Sequence, residues 1–372
     1  MTHSRLKSIK LRNFKAIRDS KTIRLTPLTV FIGNNGSGKS SVIEGLETYQ
    51  AIVTSGLDAA MVPWRGFEYI RNQAVSRQLQ SANGDLPYQT NPVEFNLLWQ
   101  NYRATMTVTT GAGDNQLFIQ EEQISLQGQP IEQPLRVDTS VISSSLDHRL
   151  NIDLFATIAG WQFLNLNPYA MGNPILQKRT GGAIHLAKDG SNIAEYLLSI
   201  YNQDPAAFNG IIETLQYVLP YARDLQPKIT SELERSVYLQ LTEANFKVPG
   251  WLFSTGTLRI LALLAVLRHP QPPPLIVIEE IENGLDPRTI HLIVDEIRNL
   301  VESGLSQVIL TTHSPYLLDL LPLSQVVMVE RAPTGQPIFT RPANQKSLNI
   351  WAEQFTPGNL YTMGRLNQEG TS

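Results

Sequence analysis

Residues 33–40, Gly-Asn-Asn-Gly-Ser-Gly-Lys-Ser, match G-x-x-x-x-G-K-[ST] in full and follow the apolar run Leu28-Thr29-Val30-Phe31-Ile32. The pattern demands a strand, a glycine-rich turn and a helix in that order, because only then do successive backbone N–H groups curl round a polyphosphate at a helix N-terminus. Val42, Leu46, Tyr49, Ile52 and Val53 recur at helical spacing and supply the helix. Lys39 brings a point charge to the β and γ oxygens, and the Ser40 hydroxyl is placed to ligate Mg²⁺. Gly33, Asn34, Asn35, Gly36, Ser37, Gly38, Lys39, Ser40 and Ser41 are therefore expected to bind a nucleoside triphosphate. An α/β fold of the P-loop class follows.

The 372 residues are enough for two or three average domains, but a nucleotide-binding core with insertions absorbs the same length. A hydrophobic share of 42% is ordinary for a globular chain. The longest apolar stretch, Leu258 to Leu267, is broken by Arg259 and is far short of the roughly 20 residues needed to span a bilayer. The N-terminus lacks an apolar export segment, so a cytoplasmic location is expected. The absence of Cys excludes disulfides, iron–sulfur clusters and a Cys-based zinc hook. A net charge of −3 gives no nucleic-acid footprint over the whole chain, and the densest basic run, Arg5 to Arg24, reads first as the solvated face of two strands.

Alternation over Ile9–Phe14 and Lys21–Leu25 predicts strands ahead of the loop strand. Further alternating stretches at Val93–Leu97, Ala104–Thr109 and Leu117–Ile124, broken by Gly111-Ala112-Gly113-Asp114 and by Gly128 and Pro130, predict an antiparallel meander within 93–142. Helices are expected over 192–218 and 257–268, with Pro270 to Pro274 as a stiff connector into a strand at Leu275–Ile278. Neither a long heptad run nor an internal repeat is present.

That strand ends in Glu279-Glu280, the form a second nucleotide motif takes at the C-terminal edge of a parallel sheet. Strand alternation points adjacent residues opposite ways, so Glu279 is assigned to the Mg²⁺ shell and Glu280 to orienting or deprotonating a water. Leu310-Thr311-Thr312-His313-Ser314-Pro315 places His313 at the end of another apolar strand, with Ser314 as a helix cap and Pro315 at the first helical position. His313 is the candidate contact for the γ-phosphate.

Phe253-Ser254-Thr255-Gly256-Thr257-Leu258-Arg259 and Glu282-Asn283-Gly284-Leu285-Asp286-Pro287 complete a set that resembles the RecF/SMC-like branch of ABC-type ATPases, in particular the small AAA-family ATPases without coiled-coil arms. Asn13-Phe14-Lys15, Lys188-Asp189-Gly190-Ser191-Asn192-Ile193-Ala194 and Leu360-Tyr361-Thr362-Met363-Gly364-Arg365-Leu366 extend the likeness over nearly the whole chain. The resemblance implies one two-lobed head that hydrolyses ATP with Mg²⁺. Its expected parts are a first lobe over 1–145 with the P-loop and an antiparallel β subdomain, a mainly helical insertion over 146–250, the signature helix, acidic strand and His strand over 251–345, and a C-terminal segment, 346–372. It further implies a head-to-tail homodimer in which Ser254 and Gly256 of one subunit close over the ATP of the other and Asp286 communicates across the interface. Asp286 and Glu279 stand where relatives more often carry His and Asp. The family's Mg²⁺-sensing Gln is assigned by position alone to Gln162, and Arg12 and Lys15 are open to a nucleotide or DNA role.

Two partner readings stay open. Heads of this branch act in DNA repair, chromosome handling or antiviral defence, which makes double-stranded DNA the first partner. In the second, ATP binding switches an effector protein such as a nuclease or toxin without direct DNA contact. A transporter motor fits poorly, because the signature departs from Leu-Ser-Gly-Gly-Gln at three of five positions.

Overall fold

The computed structural model describes residues 4–73, 91–111, 116–131, 138, 140, 150–178, 182–231, 234–243, 245–345, 348, 351 and 354–366. The chain divides into two compact units, one of residues 1–161, 323–356 and 360–372, the other of residues 162–322 and 357–359. The boundaries expected from sequence differ, because the first unit takes back residues 323–356 after the chain has built the second.

In the first unit the meander forms as expected: Val93–Trp99, Tyr102–Thr110, Leu117–Leu126 and Gln129–Ile131 pair antiparallel in sequence. Strand Leu6–Phe14 joins its edge through Val93–Trp99 and also pairs with Ile17–Asp19 and Ile23–Arg24. The turn at Ala112-Gly113-Asp114 and the expected tail at 141–142 lie outside the described residues. Alternation in Val93–Trp99 is complete, every second side chain being buried, as a sheet with one face on a core requires. That face meets the helix Lys39–Ser55, where Tyr49 packs at 5.7 Å from Phe95 and 6.5 Å from Trp161. A Cβ at Gly45 would sit 2.5 Å from Leu11 Cδ1, so glycine sets how closely helix and sheet approach.

The loop strand Leu28–Ile32 is buried throughout and pairs in parallel with Val326–Arg331, which returns antiparallel through Pro337–Thr340. Continuous burial fits a strand covered on both faces.

The second unit holds a parallel set, Gln162–Leu164, Leu275–Ile278 and Gln307–Thr312, in register Gln162↔Ile276 and Ile278↔Leu310. Helices Ile193–Gln203, Pro205–Val218 and Thr255–Leu267 accompany it. Pro205 at the first helical position, with Asp204 as cap, splits the helical span expected over 192–218 in two. The expectation of a mainly helical 146–250 needs correction: Ala222–Ile229, Ser236–Glu243 and Phe246–Pro249 form an antiparallel sheet, joined by Ile175–Leu176. Val237, Leu239 and Leu241 alternate inward on Ser236–Glu243, a period-two signal.

Candidate active site

In the first unit the helix Lys39–Ser55 begins at Gly38, whose φ of 113° a side chain would resist, and no side chain caps the helix. Its first N–H groups are thus left for an anion. Ser37 N–H donates to Asn34 O at 3.1 Å and closes the apex as a tight turn. Lys39 is 6% exposed, and its Nζ donates to the carbonyls of Gly33 at 2.8 Å and Asn34 at 3.1 Å, so the ammonium lies inside the curl of the loop. Ser40 and the tips Asn34, Asn35 and Gly36 are exposed, whereas Ser37 and Ser41 are buried. Ser40 therefore offers its hydroxyl outward. Ser41 packs into the unit, and the Ser37 hydroxyl has no hydrogen-bond partner.

The hairpin of Val326–Arg331 and Pro337–Thr340 backs this loop. A Cβ on Gly33 would meet Val329 O at 2.0 Å, and one on Gly38 would meet Pro337 Cγ at 2.7 Å. Arg331 donates from Nε to Gly36 O at 2.6 Å and from Nη1 to Gly335 O at 2.9 Å. Arg12 pairs with Glu94 at 3.2 Å and lies 3.8 Å from Asp19, while Lys15 pairs with Glu44 at 2.8 Å over the Trp64 ring.

In the second unit the parallel register brings Glu279, Glu280 and His313 to one strand edge. The strand itself ends at Ile278, so strict alternation does not carry through the acidic pair. Glu279 extends the ladder by one bond, its N–H donating to Leu164 O at 2.9 Å, and is half-buried. Glu280 then turns to φ 47°, a left-handed value that costs a non-glycine residue of order 1 kcal/mol. Surrounding bonds hold it there. Glu280 N–H donates to Thr311 Oγ1 at 2.9 Å, Ile281 N–H to Thr311 O at 3.3 Å, and Asn283 N–H to Glu280 O at 3.0 Å. The Asn283 amide donates to Glu280 Oε2 at 2.5 Å, and His313 N–H donates to Glu282 Oε1 at 2.6 Å.

Ser254 is exposed and caps the helix Thr255–Leu267, its Oγ accepting from Thr257 N–H at 3.1 Å and lying 2.8 Å from Thr257 Oγ1. Gly256 sits against the turn after the acidic strand, where a Cβ would be 3.1 Å from Gly284 O. Arg259, on the same helix, donates to Asn283 O at 2.9 Å and to Leu166 O at 2.6 Å. Burial lowers the Arg259 pKa, and the nearby Glu280 and Glu282 carboxylates oppose that shift. Asp286 caps the helix Pro287–Glu302, accepting from Arg288 N–H, Thr289 N–H and the Thr289 hydroxyl. Both of its oxygens are thus turned to its own helix.

Gln162 opens its strand opposite Ile276, is 5% exposed, and donates its amide to Leu186 O at 2.8 Å. It stands three positions short of the edge that carries Glu279. Asn165 and Asn167 occupy that edge instead and line an open depression of about 750 Å³ with Lys188, Asp189 and Arg259. Motif reading singled out neither Asn, because no spacing rule marks them. Nor does any spacing rule give a role to Thr311, Asn283 or Arg259, although they lie in the His strand, the turn after the acidic strand and the signature helix.

Among the described residues no group of three or more His, Asp or Glu is clustered as a metal site. Ser40 in the first unit and Glu279 in the second each carry a hard oxygen of the kind Mg²⁺ takes alongside phosphate and water. Among the described residues no helix is long and apolar enough to cross a membrane.

A model of an AAA ATPase domain matches residues 5–49, the segment that ends in the P-loop helix. The OLD nuclease of Thermus scotoductus is 20% identical over 389 residues, covering 97% of this chain and 69% of the relative. Two solved structures share the fold. One is an Smc head bound to the C-terminal winged-helix domain of ScpA, with a TM-score of 0.54 and 13% identity over 90% of this chain and 97% of that one. The other is an Smc head with an extended coiled coil, bound to the C-terminal domain of ScpA derived from Pyrococcus furiosus, with a TM-score of 0.51 and 12% identity over 94% and 98%. The chain therefore has the P-loop NTPase fold of an ABC-type, SMC-like head. A second family model covers residues 127–319, just over half of the chain, and the chain belongs to that family, described as "AAA domain, putative AbiEii toxin, Type IV TA system".

Proposed function

We propose that the protein is a Mg²⁺-dependent ATPase whose two subunits close head to tail on ATP. The observation that carries this reading is the common strand edge in the second unit, which holds a strained Glu280 and His313, together with the contacts of the turn after Glu280 with Arg259 and Gly256 of the signature helix. Lys39 and the loop amides bind the phosphates, and Ser40 and Glu279 supply the oxygen ligands for Mg²⁺. The ion, when bound, neutralises charge on the phosphates. Glu280 takes the proton of the attacking water, and His313 contacts the γ-phosphate. Asn165 and Asn167 supply the amides at the sheet edge in place of Gln162. Ser254 and the N-terminus of its helix present donors and a positive dipole end to the ATP of the other subunit. Exposed Trp251 and Leu252, immediately before the signature, add apolar area to that face.

The test is phosphate release by the wild type and by Glu280→Gln, with mass measured by light scattering. A loss of roughly 10²–10⁴-fold in turnover is expected of a missing general base, together with a dimer that persists in ATP and dissociates in ADP. Undiminished turnover would overturn the role of Glu280. Double-stranded DNA, added at physiological salt, separates the two partner readings. Its retention by the ATP dimer supports a clamp in repair or antiviral defence. A dimer indifferent to DNA moves the reading to control of an effector protein, for which the similarity to a nuclease over 69% of that relative is the support. The pairing of Arg12, Lys15 and Lys21 with acids within the first unit lowers the charge available for a phosphate backbone.

A further inference from the structure

We infer that Asn283 is a positioning residue for the Glu280 carboxylate, and that Arg259 ties this turn to the signature helix, so that the state of that helix sets the orientation of the general base. The inference rests on the proposed ATPase reading. It is drawn from a continuous set of bonds within the second unit: Arg259 Nη1 to Asn283 O at 2.9 Å, Asn283 Nδ2 to Glu280 Oε2 at 2.5 Å, and Glu280 N–H to Thr311 Oγ1 at 2.9 Å. Each link fixes a different degree of freedom. Arg259 pins the backbone of the turn, Asn283 fixes the carboxylate rotamer, and Thr311 holds the left-handed Glu280 backbone against the neighbouring strand.

Stability does not account for this arrangement. Glu280 and Asn283 are both exposed, and a solvent-facing hydrogen bond returns little to folding because water replaces it on either side. Glu280 meanwhile sits at φ 47°, which disfavours the observed conformation. A strained, exposed carboxylate held by a dedicated amide is the arrangement that preorganised base catalysis requires. Arg259 lies five residues past Ser254 on the same helix, and Gly256 abuts Gly284 of the turn. A displacement of the helix start would reach Glu280 through two contacts. This links engagement of a subunit's signature with the ATP held by its partner to correct aim of that same subunit's base, and makes an unpartnered subunit slow.

The experiment compares wild type, Asn283→Ala, Arg259→Ala, the double variant, and Asn283→Ala in the Glu280→Gln background. It reads kcat, KM for ATP and melting temperature. Asn283→Ala is expected to lower kcat about 10- to 100-fold, the range of a charge-assisted hydrogen bond, with KM within about twofold. The melting temperature should not move, since the residue is exposed. Arg259→Ala should lower kcat similarly, and the double variant should be no slower than the worse single one. With Glu280 already replaced, Asn283→Ala should have no further effect. A kcat within twofold of wild type for Asn283→Ala, or a further loss on top of Glu280→Gln, overturns the inference. Wild-type turnover unaffected by Glu280→Gln overturns the site reading itself and the inference with it, and is recognisable because it appears before Asn283 is touched.

Discussion

Asp286 shows how one carboxylate can be read two ways. The family resemblance gives it a role across a dimer interface, while the structure gives it three donors from the first turn of its own helix. The Thr289 hydroxyl is the main cause of a carboxyl pKa held below the usual range, helped by backbone N–H groups and opposed by burial. The sign follows: a depressed folded pKa contributes stability that is present above the unfolded value, near 3.9, and is lost as pH falls through the lower folded one. Asn caps a helix as well as Asp but does not titrate in this range. Melting temperatures of Asp286→Asn and wild type should therefore stay parallel from pH 7 to about 5, with the wild type falling faster below about 4. Asp286→Ala should be less stable at pH 7 by about 0.5–2 kcal/mol, the usual cost of a lost cap. Parallel curves down to pH 2 would show that the cap carries no proton linkage. At this scale a fixed spacing makes local placement legible, as with Lys39 and Ser40 at the start of the loop helix. The sequence is opaque where partners come from distant segments, as with Thr311 on Glu280, 31 residues away, or Arg259 on Asn283, 24 away.

At the scale of elements, the hairpin of Val326–Arg331 and Pro337–Thr340 is the part that sequence left without a role. Three P-loop glycines face it: Gly33 through Val329 O, Gly36 through Arg331, and Gly38 through Pro337. Gln336 extends the same contact, donating to Asp19 O and accepting from Arg18 N–H, so the hairpin end is tied to the first antiparallel sheet as well. A glycine loop has many conformations to lose on ordering its amides around a phosphate. A collar that fixes them beforehand lowers that cost on binding. Arg331→Ala should accordingly raise KM for ATP about 5- to 10-fold, the worth of one such hydrogen bond, while leaving kcat within about twofold. A fluorescent ATP analogue should show the same loss of affinity without turnover, and unchanged affinity would reduce the collar to packing. The meander, the loop helix and the acidic strand are legible from their period. In the sheet of 222–249 only the middle strand carries such a signal, at Val237, Leu239 and Leu241, and it is overlooked because its neighbour Ala222–Ile229 interleaves Arg223, Asp224 and Lys228 with a proline and shows no apolar run.

The whole molecule raises a question that neither unit answers alone, namely whether the signature acts on its own chain's nucleotide or on that of a second copy. Lys39 belongs to the first unit and Ser254 to the second. Within the proposed head-to-tail dimer, each site takes its P-loop, Glu279 and Glu280 from one subunit and its Ser254 from the other. Lys39→Ala removes the phosphate-binding cation, and Ser254→Arg puts a bulky cation where the γ-phosphate is to be met. Each variant alone should hydrolyse ATP at less than about 1% of the wild-type rate, since every site in its homodimer lacks one essential part. Mixed dimers differ. The site built on the P-loop of the Ser254→Arg chain and the signature of the Lys39→Ala chain is complete, whereas the opposite site lacks both parts. Equal mixing places half of the subunits in mixed dimers with one working site of two, so about a quarter of wild-type turnover should return if the sites act independently. Less than that would measure how strongly one site depends on the other. A return well below a quarter is what coupling through Arg259 and Asn283 predicts, because the Ser254→Arg chain supplies the base of the complete site; no return from variants that melt like wild type and also form no mixed dimer in ATP would mean that the ATP-driven pairing has to be abandoned as the source of activity.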